Sequence, residues 1–352
     1  GLVLGQLSFI PYKYFSEDKK LEVYDAVQIT ITESGESEFD YFIPEKKSYI
    51  FEELYENFVI NYERSDRNED YQIPSILYIC GGSSINNAYF QDLVEWRHKQ
   101  GYVVTVVSTS ETGSSEASIN NYIINAYYNW DNPPEIVGLV GDVGGSYDIS
   151  CDSYGWGGYS GASDVIYSYV EGNDLLPEVL IGRISANSTS ELYNIINKTM
   201  QYEKAQEQTD LGWFDRAGLV GDPTQSGFSC VITNQYIQQL METYGFDDVD
   251  IDIDGGGSQL DQFLVDQFNR GIMYYNYRGW YYGSGSYPPS SNQLSNGYYT
   301  PFVTTITCGT GDFSSTSSSE GFVRLGSVND PKGAVAAVGT STTGTHTAYN
   351  NI

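Results

Sequence analysis

Apolar positions recur with two different periods along this chain. In residues 1 to about 62 they come at short steps: Leu7, Phe9 and Ile10, then Val23, Tyr24, Val27, Ile29 and Ile31. That spacing predicts a β-rich segment with a turn at 16–20. Charges cluster in 45–56 and again in 63–70 (ERSDRNED), which predicts a polar linker and a boundary near residue 70. Beyond it, compact apolar runs alternate with longer amphipathic stretches. Runs at 75–80 (SILYIC), 103–107 (VVTVV) and 136–140 (IVGLV) read as buried strands. Between them, 87–100 places Phe90, Leu93, Val94 and Arg97 on one helical face, and Gly101 closes it. A second helix is predicted over 115–130, ending before Pro133.

The alternation continues. Residues 144–161 form a Gly-, Ser- and Tyr-rich loop, 177–184 a strand-like segment and 190–206 a helix with Leu192, Ile195, Ile196, Met200 and Tyr202 inward. A similar half follows, with strands at 216–221, 249–253, 271–277, 301–307 and 334–338 and helices at 229–244 and 259–269. Strand and helix in alternation predict an α/β fold with a mostly parallel sheet covered on both faces. The expected organisation is a β-rich segment with its linker (1–70), a first α/β half (71–208) and a second (209–352). No fixed-period repeat is apparent.

Composition narrows the partners. With 46 acidic against 17 basic residues the net charge is -29, so nucleic acid is excluded as an expected ligand. A basic substrate, bound cations or a salty medium fits, and so does plain solubility. The 32 Tyr and 37 Gly resemble the usage of secreted bacterial proteins. No apolar run approaches the roughly 18 residues of a membrane span. The chain starts at Gly1 without an initiator Met, which fits a processed start. Four cysteines (Cys80, Cys151, Cys230 and Cys308) allow three full pairings, and sequence does not choose among them.

One cysteine stands in a telling place. The run 301–307 ends in Cys308, and Gly309, Thr310, Gly311 and Asp312 turn the chain. A thiol is thus expected at the carboxyl end of a strand, where open α/β sheets place their crevices. The alternative is an inert buried thiol. About thirty residues upstream, 271–277 (GIMYYNY) is followed by Arg278, Gly279 and Trp280. Two adjacent strand ends suit a nucleophile and its base, yet Trp280 sits where a histidine is wanted.

These blocks carry a resemblance. The segment through Ile31, 95–107 (EWRHKQGYVVTVV), 129–142 (NWDNPPEIVGLVGD), 177–185 (PEVLIGRIS), Asn276 to Gly279 and 307–313 (TCGTGDF) together resemble the gingipain family of secreted bacterial cysteine peptidases. The resemblance implies a caspase-like three-layer α/β/α sandwich, in two similar halves behind the β-rich segment. It places Cys308 as the nucleophile. Trp280 and Tyr281 then stand where the family has a His and a Gly. Indole has no lone pair for a proton and is no general base. The Tyr281 N–H, with Gly279 and Gly309 beside it, is a candidate for substrate or oxyanion contact. Glu178 matches the acid that supports the family's His; with no His present it is a leftover or pairs with Arg278 or Arg183. Glu191 lies where arginine-specific members carry a pocket acid, a place that also suits a helix start. His98 reads as a surface residue. His346, in the loop after the last strand, is either a displaced base or a plain loop histidine.

Asp250, Asp252 and Asp254 alternate and are candidates for calcium, or else form a solvated strand face. No cofactor is required by the implied chemistry. Two functions follow: a secreted or cell-surface endopeptidase domain with a broken dyad and weak or lost activity, or a non-catalytic extracellular binding or self-assembling protein. The expected partner is a protein or peptide substrate, or another protein.

Overall fold

The computed structural model describes residues 7–30, 32, 45–64, 67–156, 159–172, 174–254, 257–280 and 283–342. Near the start, β1 (Tyr12–Phe15) and β2 (Lys20–Val23) form an antiparallel hairpin. The next described stretch corrects an expectation. Residues 49–58, read as the end of the β-rich segment and a charged linker, form α1 (Tyr49–Phe58). Ser48 caps it, accepting the Phe51 N–H. Its acids gave the impression of a linker, but Phe51 and Glu52 are buried while Glu53 and Glu56 face out. The four-residue spacing of Ile50, Leu54 and Phe58 behind a Ser cap was the readable signal. Tyr71 fastens α1 to the body: its ring stacks on Tyr49 at 3.9 Å, and its hydroxyl donates to Glu52 at 3.1 Å.

The first half comprises β3 (Ser75–Cys80), α2 (Ala88–Lys99), β4 (Val103–Ser108), α3 (Thr109–Thr112), α4 (Glu116–Asn129), β5 (Ile136–Val140), β6 (Asp152–Trp156), β7 (Tyr159–Ser163), β8 (Leu180–Ile184) and α5 (Thr189–Lys204). Four strands make a parallel sheet in the order β4-β3-β5-β8. All six residues of β3 are buried. Ile76, Tyr78 and Cys80 pack under Phe90 and Leu93 of α2 and Leu192 and Ile196 of α5. Leu77 and Ile79 point the other way, against Ile119, Ile123 and Ala126 of α4. The two-residue period of the strand thus feeds two cores. From within the predicted loop 144–161 the chain makes the antiparallel hairpin β6–β7, which runs on to Ser163.

The second half comprises β9 (Arg216–Gly221), α6 (Ser229–Thr243), β10 (Asp248–Asp252), α7 (Ser258–Arg270), β11 (Tyr274–Arg278), β12 (Phe302–Ile306), α8 (Ser318–Arg324), the short pair β13 (Gly326–Ser327) and β14 (Asp330–Pro331), and β15 (Ala336–Gly339). Its own sheet has the order β10-β9-β11-β12-β15, parallel throughout. One face is thickly covered: Leu264 and Phe268 of α7 and Phe322 of α8 meet Tyr275, Tyr277 and Val303. On the other face α6 lays Ile237 and Met241 on Ala217, Leu219 and Val249.

The halves are bolted together by α5 and α8. Lys198, wholly buried, donates to the carbonyls of Val323, Leu325 and Lys332 at 2.5, 3.0 and 2.9 Å. Asn194 donates to those of Arg324 and Leu325. Together they satisfy the open carbonyls at the end of α8. Among the described residues no helix is long and apolar enough to cross a membrane.

Candidate active site

β11 and β12 lie side by side in register, Arg278 opposite Ile306. Two residues further on, one chain reaches Trp280 and the other Cys308. Both therefore open at the same carboxyl edge, on neighbouring strands. Trp280 is 46% exposed and Cys308 is half-buried.

The turn after β12 is held from behind. Gly309 has φ +64°, a conformation that glycine adopts at little cost. The buried Thr310 hydroxyl lies 2.7 Å from the Thr305 carbonyl and 3.0 Å from that of Thr307, and accepts the Thr340 N–H at 3.3 Å. The Gly309 and Gly311 N–H groups donate to the carbonyls of Thr342 and Thr340, at 2.8 and 3.0 Å. Residues 340–342 therefore run antiparallel along the Cys308 turn. From the first half, β7 docks on the same place. The Ala162 N–H donates to the Asp312 carboxylate at 3.1 Å, the Ser341 hydroxyl donates to the Ala162 carbonyl, and the Arg183 guanidinium lies 5.0 Å from the centre of the Phe313 ring. The carboxyl edges of both sheets meet here.

Trp280 is carried by a second set of contacts. The Tyr277 hydroxyl donates to the Trp280 carbonyl at 3.0 Å and reaches the Asp222 carboxylate at 3.4 Å. Burial and the Asp222 charge push the Tyr277 phenol far above its usual range, so it stays a donor. Gly279 is required: a Cβ there would lie 2.5 Å from the Tyr277 hydroxyl and 2.7 Å from Asp222 Cβ. The buried Arg278 guanidinium donates to the carbonyls of Gly279 and Ile306 at 3.0 and 3.2 Å, tying the two strand ends together.

Glu178 is not brought to this edge. It precedes β8, at the amino end of the first sheet, and accepts the N–H groups of Val170 and Glu171 at 2.8 and 3.0 Å. Burial raises its pKa despite these bonds. Of the alternatives for Glu178, the pairing with Arg183 does not occur, because Arg183 forms a two-pronged ion pair with Asp164, at 2.8 and 2.7 Å. Glu191 does lie at a carboxyl edge, that of β8. There it accepts the Asn187 N–H at 2.7 Å in the first turn of α5, and it stands 3.9 Å from Arg324. Arg324 in turn pairs with Asp142 at 2.7 Å and Glu320 at 2.9 Å. Burial works against the charged form of Asp142, but the Arg324 hydrogen bond holds its carboxyl below the usual value. His98 is exposed on α2, its ring 3.3 Å from the Tyr102 carbonyl. Tyr281 and His346 lie outside the described residues.

Residues 69–352 match the model of peptidase family C25. The chain belongs to peptidase family C25. Gingipain R2 of Porphyromonas gingivalis is 27% identical over 358 residues, which covers 96% of this chain and 47% of that protein. Lys-gingipain of the same organism is 26% identical over 255 residues, covering 69% of this chain and 14% of that one. The chain thus spans about half the length of the gingipain R2 it matches, and less of Lys-gingipain. Among solved structures, the Arg specific cysteine proteinase gingipain R superposes with a TM-score of 0.64 at 26% identity, over 78% of this chain and 64% of that one. A complex of the pro- and mature domains of Porphyromonas gingivalis RgpB gives 0.66 at 26% identity, over 77% and 65%. The caspase-like gingipain fold expected from the sequence is the fold of this C25 domain.

The acidic strand of the C25 domain differs from expectation. Asp250 and Asp252 lie on β10, but Asp254 lies beyond it. Asp250 is engaged by Gln267 at 2.8 Å and by Arg270 at 3.3 Å, and Arg270 also takes Asp248 at 2.8 Å. Among the described residues no three His, Cys, Asp or Glu side chains gather as a metal would need. Arg270, at the end of α7, is the cation that meets this acidic strand.

Sequence reading missed Asp222, Tyr277 and Thr310, the residues that position the two strand ends. A signal existed for the first. The pentapeptide GLVGD occurs at 138–142 and again at 218–222, and both Asp residues are 5% exposed at the carboxyl ends of their strands.

Proposed function

We propose that this C25 domain receives an extended protein or peptide segment across the carboxyl edge of β11 and β12, and that its peptide hydrolysis is weak or lost. The observation that carries this reading is Trp280 at the strand end beside Cys308. Thiol attack on a peptide carbonyl needs a base to form the thiolate and an acid to protonate the leaving amine. Indole does neither, and each such proton transfer is worth roughly 10²- to 10⁴-fold. The Gly309 N–H, a candidate donor to an oxyanion, is committed to the Thr342 carbonyl. The Arg specificity in the name of the gingipain R structure is not carried over, since Glu191 is committed to its helix start and Arg324. A secreted or cell-surface location fits the acidic, Tyr- and Gly-rich composition.

A second reading has the fold serve only to bind another protein outside the cell. The two separate in one assay. Incubation with a peptide library and a thiol-directed acylating probe at neutral pH should give little turnover, and Trp280→His should raise it by about a hundredfold or more, on the order of one restored proton transfer. Efficient turnover that disappears in Cys308→Ala would overturn the proposal. Loss of that turnover in His346→Ala as well would make His346 the base. No probe labelling and no gain in Trp280→His would favour the purely binding protein.

A further inference from the structure

The junction between the halves holds more acid than base. Arg324 lies within ion-pair reach of three carboxyls: Asp142 at 2.7 Å, Glu320 at 2.9 Å and Glu191 at 3.9 Å. Among the described residues no second cation pairs with any of the three. Asp142 and Glu320 are 5% and 6% exposed, and a buried carboxylate without a cation of its own is costly.

Counting hydrogens at Ser185 locates the surplus charge. Its Oγ takes an N–H of Arg324 at 2.9 Å. It also touches Asp142 Oδ1 at 3.2 Å and, more closely, Glu320 Oε1. A serine hydroxyl has one proton and two lone pairs. It donates to one of these oxygens, and to the other it turns a lone pair. One carboxyl therefore brings a proton of its own. The remaining contacts say which. Asp142 accepts from the Val143 N–H at 2.7 Å, the Asn187 amide at 2.5 Å and Arg324 at 2.7 Å, a donor set that favours a carboxylate. Glu320 accepts the Ser317 N–H at 2.7 Å on one oxygen and has the 2.9 Å bond from Arg324 on the other. We propose that Glu320 is a carboxylic acid in the folded protein, donating its proton to Ser185, which donates to Asp142, and that this proton locks α8 to the first half. Electrostatics divide the pair the same way. Burial raises the Glu320 pKa; for Asp142 burial is outweighed by the Arg324 hydrogen bond, and the pKa is lowered.

The lock sits against the Cys308 turn. Glu320 closes the capping box of α8 with Ser317, and the neighbouring Ser319 N–H donates to the Thr310 carbonyl at 2.9 Å. Loss of the proton sets two carboxylates against each other across Ser185, with Glu191 nearby and one guanidinium among the three. The folded pKa of Glu320 lies above the unfolded value of about 4.3. The lock is therefore complete below the unfolded value and is lost as pH rises through the folded one.

Glu320→Gln keeps the shape and a donor toward Ser185 but does not ionise. Urea titrations of parent and variant from about pH 4 to about pH 9 test the lock. Relative to the variant, the parent's folding constant should fall about tenfold per pH unit above the unfolded value and level off above the folded one. Just above the unfolded value, the infrared spectrum of the parent should hold one carbonyl stretch of an un-ionised carboxyl that the variant lacks. Hydrogen exchange at Ser319, corrected for its intrinsic dependence on pH, should quicken with rising pH in the parent alone. A parent that gains on the variant as pH rises would make Glu320 an ion paired with Arg324 and would overturn the proposal. A difference independent of pH, no lost infrared band, or Ser319 exchange that responds alike in both chains would also overturn it. So would a variant that does not fold, since the amide replaces the acid donor for donor.

Discussion

The first half of the molecule buries both faces of its sheet, and the second buries one face thickly and the other thinly. The difference begins within the same five residues. In the first half GLVGD ends in Asp142, in a buried network with Arg324, Asn187 and Ser185. In the second it ends in Asp222, which receives the Thr224 N–H at 2.8 Å and the Tyr277 hydroxyl at 3.4 Å. One carboxylate holds the two halves together; the other steadies the strand end that carries Trp280. Identical local sequence puts a buried aspartate at each strand end, and the rest of the fold assigns each its work.

The comparison breaks first at the junction. Lys198→Met takes the Lys198 donor from the Val323 and Lys332 carbonyls, while that of Leu325 keeps Asn194, and should cost about 2–4 kcal/mol, read as a lower urea midpoint. A loss below about 1 kcal/mol would mean that the halves do not depend on this bolt.

The paired aspartates sharpen it. Asp142→Ala leaves Arg324 short of a buried partner and should cost about 3 kcal/mol. Asp222→Ala removes only neutral donors' acceptor and should cost about 1–2 kcal/mol. Equal costs in denaturant titrations would show that the two sites are energetically alike despite their different partners.

The smallest effect lies in the first half alone. Arg97 pairs with Glu203 through two bonds of 2.6 Å. Burial works against the Glu203 carboxylate, but Arg97 outweighs it and holds the pKa below the usual value. The folded pKa is thus lower than the unfolded one, about 4.3. The stabilisation is complete above that unfolded value and is lost as pH falls through the folded one. Arg97→Gln should therefore lower stability by about 1 kcal/mol at pH 7 and leave it nearly unchanged at pH 2. An equal loss at both pH values would assign the effect to packing of the Arg97 stem.

The strands and most helices were legible in the sequence because their burial is periodic and local. Ser75 to Cys80 is a strand in the sequence pattern and in the fold, and Asn87, Ser115 and Ser188 cap the helices α2, α4 and α5 where caps were readable. The placement of Cys308 beside Trp280 was legible too, since each ends an apolar run and parallel strands open at one edge. The end of the sheet to which Glu178 belongs was not. It follows a loop whose path is set by Val170 and Glu171, not by its own neighbours. Nor was α8, a seven-residue helix that takes its place from Phe322 in the core and from Lys198 on another helix.

By itself, then, the sequence determined the order of strands and helices, the family, and the tryptophan at a strand end, because each depends on residue type and short-range spacing. Only the tertiary structure decided which carboxylates meet which cations. Asp142, Arg324, Glu191 and Asp250 reach partners from 17 to 182 residues away in the chain, or within a helical turn, according to how the sheets stack. Such pairings are selected by the free energy of burying charge, which forces each buried ion to find a counter-charge wherever the fold supplies one.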